Sequence, residues 1–277
     1  MRRRTTIRVG ILSCVMIGTV ALGGIGSPSS ASPGAAEFHA PRIPGPTPVP
    51  VPTPAFHANV SVVQSWTSLN WSGYALTGTS ISNVVGNWKV PQVQTPTTKK
   101  KKARYSSSWV GIDGFNNAHL IQAGTEQDWV HGTKFYRAWW EILPAAETPI
   151  TSLLIHPGDA MSVSITEGVS PTWTIQVSDT TTNQTFTIVK SYSGPRTSAE
   201  WIQEAPTIGR HVAMLAPDTN VVFDHGKLNL ANPGLISAEA GAMFKAGLQI
   251  STPSAPNPNQ DGFAVAYGRV APPAPSS

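Results

Sequence analysis

Short hydrophobic segments recur along the chain and are separated by turns rich in Gly, Pro, Asn or Thr. These segments are rich in β-branched and aromatic residues, as strands are. Two of them, MSVSIT and WTIQVSD, alternate hydrophobic and polar residues, which is typical of half-buried antiparallel strands. The predicted strands are NWSGYALTG, VVGNWKVP, YSSSWVGIDG, HLIQAGTE, KFYRAWWEILP, TSLLIHPGD, AMSVSITE, TWTIQVSD, TFTIVKS, AEWIQEAP, NVVFDHG and GFAVAYGRV.

No long segment has the hydrophobic period of a helix, and GLISAEAGAMF is predicted to form at most a short one. Many short strands without helices predict an all-β fold. We expect a two-sheet antiparallel β-sandwich of the jelly-roll or concanavalin-like type. It is predicted to be one domain over residues 64–277, ending in a short proline-rich tail.

The first 63 residues differ in composition from this domain. Residues 1–31 have a basic head, an apolar stretch and small residues at the end, which predicts a secretory signal peptide and a secreted, extracellular protein. Residues 32–63 are rich in alternating prolines, which favour an extended prosegment or linker. Cys14 is the only cysteine and lies in the signal, so the mature chain is predicted to have no disulfide. We expect no membrane association after signal cleavage, and a monomer.

The basic charge of the whole chain arises near its start. Five of the nineteen basic residues and one of the fifteen acidic residues precede Asn59, which leaves fourteen of each in the remainder. A balanced domain gives no indication of a nucleic-acid partner. The run Lys99–Lys102 is interpreted as a solvated loop between strands, with a patch for anionic surfaces as the alternative.

Alternation along three predicted strands places polar and aromatic side chains on shared faces. A carboxylate beside Ile, Leu and Trp is costly to bury without a function, so these faces are predicted to form the floor of an active-site groove. About half of the nine tryptophans are expected to pack in the core and the others to line the groove. The shared faces contain Glu200, Ile202 and Glu204; Leu120, Gln122 and Gly124; and Arg137, Trp139 and Glu141.

Seven motifs occur in the order found in one peptidase family. They are NWSGYAL, WKVP, SSWVGIDG, LIQAG, YRAWWEILP, HPGD and AEWIQE. In this combination the chain resembles the glutamic peptidases, also called eqolisins. The resemblance implies a two-sheet β-sandwich, endopeptidase activity on proteins or peptides at acidic pH, and no cofactor or metal.

The resemblance also implies the residues of the site. Gln122 of LIQAG and Glu204, the second glutamate of AEWIQE, correspond to the catalytic pair, whereas Glu200 is expected to pair with a basic neighbour. The other implied positions, at the cleft or orienting the pair, are Trp71, Trp109, Asp113, Trp139 and Glu141. For Asp113 the alternative is a turn residue, since Asp-Gly is a turn signal.

This pair suits peptide hydrolysis in acid. A glutamate titrates near ~4.3 and can take a proton from water and return it to the leaving nitrogen, whereas a histidine base would be protonated in that medium. The Gln122 carboxamide does not titrate and can donate to the oxyanion, which is worth about 3 kcal/mol.

Two features depart from the better-known fungal members. Those members often carry disulfides, and they tend to have an aspartate where Arg137 stands. A cation at this position would favour ionised carboxylates nearby. The Arg-rich signal and the absence of cysteine from the mature chain are typical of a bacterial member.

Other functions are also compatible with a secreted β-sandwich. A glycosidase could use Glu141 and Glu204 as its two carboxylates, and a carbohydrate-binding module could use tryptophans as a platform. A serine or metal hydrolase is disfavoured, because the seven histidines are scattered and the chain contains no G-x-S-x-G.

Overall fold

The computed structural model describes residues 65–97 and 102–276. In these residues the chain forms eighteen strands and a 3₁₀ turn at Ser237–Glu239, and no helix is long and apolar enough to cross a membrane. The strands are β1 (Trp66–Ser68), β2 (Trp71–Thr77), β3 (Asn83–Lys89), β4 (Ser107–Ile112), β5 (Ile121–Val130), β6 (Thr133–Ile142), β7 (Thr148–Ile150), β8 (Ala160–Glu167), β9 (Thr172–Asp179), β10 (Gln184–Ser191), β11 (Ser198–Glu204), β12 (Thr207–Ile208), β13 (His211–Val212), β14 (Val221–Phe223), β15 (Lys227–Leu228), β16 (Ala240–Lys245), β17 (Leu248–Pro253) and β18 (Phe263–Tyr267).

Most strands follow one hydrogen-bonded order that folds over into two layers. The first layer runs β7-β6-β5-β4-β11-β2-β16, and the path continues through β17-β18-β14-β3-β8-β9-β10. Strands β4 and β5 pack on β8 and β9 although they are distant in this order. Paired strands in both layers are antiparallel, apart from β1, which lies parallel to β16. The predicted antiparallel β-sandwich is confirmed.

Alternating residues fill the space between the layers. Strands β8 and β9 bury every second residue, as their sequence pattern predicts. Each fully buried Val or Ile contributes about 1.5–3 kcal/mol relative to an exposed one. Trp201 of β11 also lies in this core, where its indole Nε1 donates to the Val85 carbonyl at 2.9 Å. The alternate residues of β11 therefore point to the opposite face, away from the core.

One expected strand is absent. TSLLIHPGD forms no strand, although Leu153 and Ile155 of this segment pack into the core. GLISAEAGAMF, expected to form at most a short helix, forms the 3₁₀ turn and then enters β16. Eight of the nine tryptophans are buried and Trp140 is partly buried, so an exposed tryptophan platform is absent from the described residues.

Several predictions fall outside the described residues. They concern the signal peptide at 1–31, the prosegment or linker at 32–63, Cys14, and Lys99 to Lys101 of the basic run. Lys102, the last residue of that run, is exposed.

Candidate active site

Apart from Asp113, the predicted site residues lie on one face of the first layer, opposite the core. The register of β2, β11, β4, β5 and β6 aligns them in three rows across the sheet. The rows are Trp71, Glu204, Ser107, Glu126 and Arg137; Gly73, Ile202, Trp109, Gly124 and Trp139; and Ala75, Glu200, Gly111, Gln122 and Glu141. The period-two interpretation of the three strands therefore predicted the shared face correctly.

Glu204 is the last residue of β11 and is completely buried. The indole Nε1 of Trp109 donates to its Oε2 at 2.7 Å, and Nδ2 of Asn70 donates to its Oε1 at 3.5 Å. Both donors favour the ionised carboxylate and fix its orientation. Asn70 was not predicted from the sequence, because it precedes β2 rather than lying on the aligned face.

Gln122 lies two strands from Glu204 and is also completely buried. Its Nε2 donates to Oε2 of Glu141 at 2.5 Å, whereas its Oε1 has no hydrogen-bond partner in the described part of the chain. A carboxamide nitrogen carries two hydrogens. Because Glu141 takes one, the second N–H and the carbonyl oxygen are available to a reactant. The structure thus places Glu141 against Gln122.

Three tryptophans surround the carboxylate of Glu204. The rings of Trp71 and Trp109 meet edge to face with centroids 4.8 Å apart, and Nε1 of Trp139 donates to Oγ of Ser107 at 3.1 Å. Nε1 of Trp71 is a buried donor without a partner among the described residues. The three rings exclude water and leave a low-polarity setting around the acid, which strengthens its electrostatic interactions.

Asp113 follows β4 at the end of this sheet, and its hydrogen bonds go to groups other than Gln122 and Glu204. It has a positive φ of 69°, and its carboxylate accepts hydrogen bonds from backbone N–H of Arg196 at 2.9 Å and of Thr197 at 2.8 Å. The Tyr192 hydroxyl adds a third bond at 2.6 Å. Asp113 therefore stabilises a turn and the segment before β11, which agrees with the turn alternative rather than with a role in orienting Gln122 or Glu204.

One further charged residue of the site face, Glu126, was not predicted from the sequence. Glu126, in the same row as Glu204, is fully buried and forms an ion pair with Arg137, whose guanidinium also lies 3.9 Å from Asp128. The period-two pattern could have shown Glu126, since it follows Gln122 and Gly124 on the same face. Arg137 lies on the face as expected, but its charge is largely engaged by these acids.

Glu200 does not pair with a basic residue, contrary to expectation. It is fully buried, and neither carboxyl oxygen has a hydrogen-bond partner in the described residues. Burial raises its pKa well above the ordinary value of 4.5, and the charge of Asp113 adds to this rise. The Ser198 hydroxyl opposes the rise in pKa without reaching good hydrogen-bonding geometry.

One cluster in the described residues has a composition that suits a metal ion, and it lies outside this site. Ligand atoms of Asp224, His225 and Asp261 lie within 4.8 Å of one another, on the segments after β14 and before β18. Nδ2 of Asn257 donates to both aspartates, at 3.0 and 2.8 Å. These bonds within the cluster already satisfy it in part, so it gives no reason to expect a metal in the reaction.

The family follows from a comparison with known proteins. The Peptidase A4 family matches residues 69–250, which include every aligned row of the site. The chain belongs to the peptidase A4 family. Its members are the glutamic peptidases, or eqolisins, so the resemblance derived from the motifs is confirmed.

Known peptidase A4 relatives share both sequence and fold with this chain. Aspergillopepsin-2 from Aspergillus niger is 27% identical over 182 residues, which are 58% of this chain and 64% of that protein. The chain thus spans less than two thirds of the length of this curated relative. The scytalido-glutamic peptidase in complex with a transition-state analogue has a TM-score of 0.61 at 21% identity, over 72% of this chain and 98% of its own. The aspergilloglutamic peptidase from Aspergillus niger has a TM-score of 0.52 at 24% identity, over 59% of this chain and 99% of its own.

Proposed function

We propose that this glutamic peptidase is a secreted acid endopeptidase that hydrolyses proteins or peptides with Gln122 and Glu204. The observation that carries the proposal is the arrangement of the two side chains on one buried face. Glu204 is held by the Trp109 indole, and Gln122 is held by Glu141 through one hydrogen only. One N–H and the carbonyl oxygen of Gln122 are left for the reactants.

One row of the sheet separates the two side chains. Their strands lie two spacings apart, which places the Cα atoms about 10 Å apart across the sheet and about 13 Å apart along it. Trp109, whose indole binds Glu204, lies in the row between them. In the proposed mechanism a water molecule and a peptide carbonyl occupy the space between the acid and the amide once the site opens.

The steps of hydrolysis follow from these positions. The Glu204 carboxylate removes a proton from water as the water oxygen attacks the peptide carbon. The carbonyl oxygen becomes negative, and the free N–H of Gln122 donates to it while Oε1 of Gln122 orients the water. Glu204 then returns the proton to the amide nitrogen, the C–N bond breaks, and the enzyme regains its ionised carboxylate.

The alternative functions fit the geometry less well. A glycosidase needs two carboxyl groups that both act on the sugar, but Glu141 is bonded to Gln122, and its strand lies three spacings from that of Glu204. A carbohydrate-binding platform needs exposed aromatic rings, and the tryptophans of this face are buried. Neither function gives Gln122 a role.

The proposal is tested by initial rates on an unfolded protein substrate at acidic pH, after maturation of the chain. Glu204→Gln removes the only base of the pair, so the rate should fall to background. Gln122→Ala removes an oxyanion donor and should lower kcat at least a hundredfold. The double variant should be scarcely slower than Glu204→Gln alone, because the two side chains act on one transition state.

Circular dichroism provides the control, since each variant must keep the β-sandwich spectrum. A folded Gln122→Ala protein with nearly wild-type rates would exclude the glutamine–glutamate mechanism. Cleavage of a polysaccharide by the wild type, with Gln122→Ala unaffected, would favour the glycosidase.

A further inference from the structure

Glu200 is a buried acid that the proposed mechanism does not use. It lies in the middle of β11, between Ala75 of β2 and Gly111 of β4, neither of which has a polar side chain. Ile202 shares its face along the strand, and both carboxyl oxygens are without partners in the described residues. An ionised carboxylate in such a place is strongly unfavourable, because nothing replaces the water that it loses.

The neighbouring acid, Asp113, is in the opposite situation. Five hydrogen bonds to its two oxygens come from Tyr192, Arg196, Asn117 and Thr197, the last through both its backbone and its hydroxyl. Of the two buried acids, Asp113 is therefore surrounded by hydrogen-bond donors, whereas Glu200 has no donor in the described part of the chain to replace the water that an ionised carboxylate would lose.

Burial and the charge of Asp113 act on Glu200 in the same direction, and only the Ser198 hydroxyl opposes them. Asp113 faces it from the connection between β4 and β5, and its charge opposes a second negative charge nearby. Tyr192, after β10, has a raised pKa because of burial and its bond to Asp113, so it stays neutral and cannot compensate. The guanidinium of Arg196 is bound to Glu167 at 2.5 Å and is not directed to Glu200.

We propose that Glu200 is a proton-dependent latch: its neutral carboxyl keeps β11 in place in acid, and loss of the proton on neutralisation releases this strand. The consequence for the site is direct, because Glu204 is the last residue of the same strand and shares its face. Release of β11 removes the catalytic glutamate from its contact with Trp109. The latch would therefore inactivate the peptidase when it leaves an acidic medium.

The direction of the pH effect follows from linkage. The folded protein holds the Glu200 proton more tightly than the unfolded chain does, since burial raises the pKa above 4.5. The stability that Glu200 contributes is complete below its pKa in the unfolded chain. It is lost as the pH rises through its pKa in the folded protein. Within this window the folding constant falls up to about tenfold per pH unit.

Unfolding by urea at a series of pH values from 4 to 8 measures how the folding constant depends on pH, and it requires no assay of activity. All proteins would carry Glu204→Gln, so that self-digestion does not interfere. Against this background, Glu200→Gln and Glu200→Leu both remove the ionisable group while keeping similar volume. In each of these two variants the folding constant should decline much less between about pH 5 and pH 8 than in the Glu204→Gln reference protein, whatever the absolute stability of the variant.

Two comparisons make the result specific. Glu167→Gln, the same chemical change at the partner of Arg196, should keep the full decline. Asp218 is a second buried acid with a raised pKa, caused mainly by burial and opposed by its bonds to Ser106 and Gln203, so it accounts for a residual slope. If both Glu200 variants decline with pH as steeply as the reference protein, the latch is refuted, whether or not the peptidase mechanism holds.

Discussion

The polar atoms of the site differ in whether they have a hydrogen-bond partner. Glu204 and Gln122 each have a fixed neighbour, Trp109 or Glu141, whereas Oε1 of Gln122 and Nε1 of Trp71 are buried without partners among the described residues. A buried polar atom without a partner costs about 1–3 kcal/mol. Such atoms are retained where a ligand completes their hydrogen bonds, so both are suited to bind the peptide or the attacking water.

Arg137 has a stabilising role that can be measured. It pairs with the fully buried Glu126 and lies near Asp128, so Arg137→Leu would leave buried acids without this cation. We expect a loss of about 3–5 kcal/mol in the free energy of unfolding at neutral pH. Urea denaturation checks this, with Lys134→Leu on the exposed end of the same strand as the control. An Arg137→Leu midpoint equal to that of the control would mean that the ion pair contributes nothing.

The predictability of these residues depends on how local their interactions are. The side of the sheet on which Gln122, Glu141 and Glu204 lie follows from alternation alone. Apart from Asn117, the donors to Asp113 come from residues about 80 positions later, so the sequence shows its turn but not most of its hydrogen-bond partners. For Glu200, a pairing with a base was expected from its charge. Only the assembled sheet shows that Ala75 and Gly111 flank it instead.

Strands β4 and β5 approach each other closely at the centre of the site. A Cβ on Gly124 would overlap the Ser108 carbonyl oxygen and lie 2.6 Å from Cβ of Trp109. The residue must therefore be glycine for Trp109 to keep its place above the sheet. This close approach brings the row of Gln122 and the row of Glu204 onto a single continuous floor.

Substitution at Gly124 should accordingly disturb the site through the backbone. Gly124→Ala is expected to destabilise the fold by about 1–3 kcal/mol, on the scale of overpacking, and to lower kcat/KM by displacing Trp109. Gly78→Ala is the matched control, because a Cβ there meets no atom within 4 Å. Thermal unfolding and rates on the same samples provide the comparison, and equal behaviour of the two variants would contradict the close packing.

Elements were predicted well where strong β-formers alternate and poorly elsewhere. Strands β8 and β9 follow their pattern closely. By contrast, β16 consists of AGAMFK, in which only Phe is a strong β-former, and pairing with β2 and β17 sets its conformation. TSLLIHPGD has the apolar content of a strand, but it buries Leu153 and Ile155 from a loop.

In the whole molecule the proposed catalytic pair is closed to solvent. Gln122, Glu141 and Glu204 have no exposed surface, so a polypeptide cannot reach them in this state. Residues 32–63, predicted as a prosegment, lie outside the described residues. We expect that an opening step precedes activity and that trimming of this segment in acid is part of it.

N-terminal sequencing tests this maturation. Wild-type protein incubated in acid should gain a new N-terminus between about residue 32 and the mid-60s, in parallel with the appearance of activity. The Glu204→Gln protein should keep its original terminus under the same conditions. Identical termini in the two proteins would rule out self-processing, and full activity of the untrimmed wild type would show that no trimming is required.

The alignment of the site in rows also constrains how this protein can change over evolutionary time. Side chains along β11 alternate between the site face and the opposite face, so a single inserted or deleted codon within β11 would exchange Glu204 for Gln203 on the site face and turn Trp201 out of the core. Length variation should therefore be confined to the connections, and systematic insertion and deletion scanning would reveal the strands as intolerant blocks. The same property makes the loops around the sheet the natural positions at which new substrate preferences can be introduced.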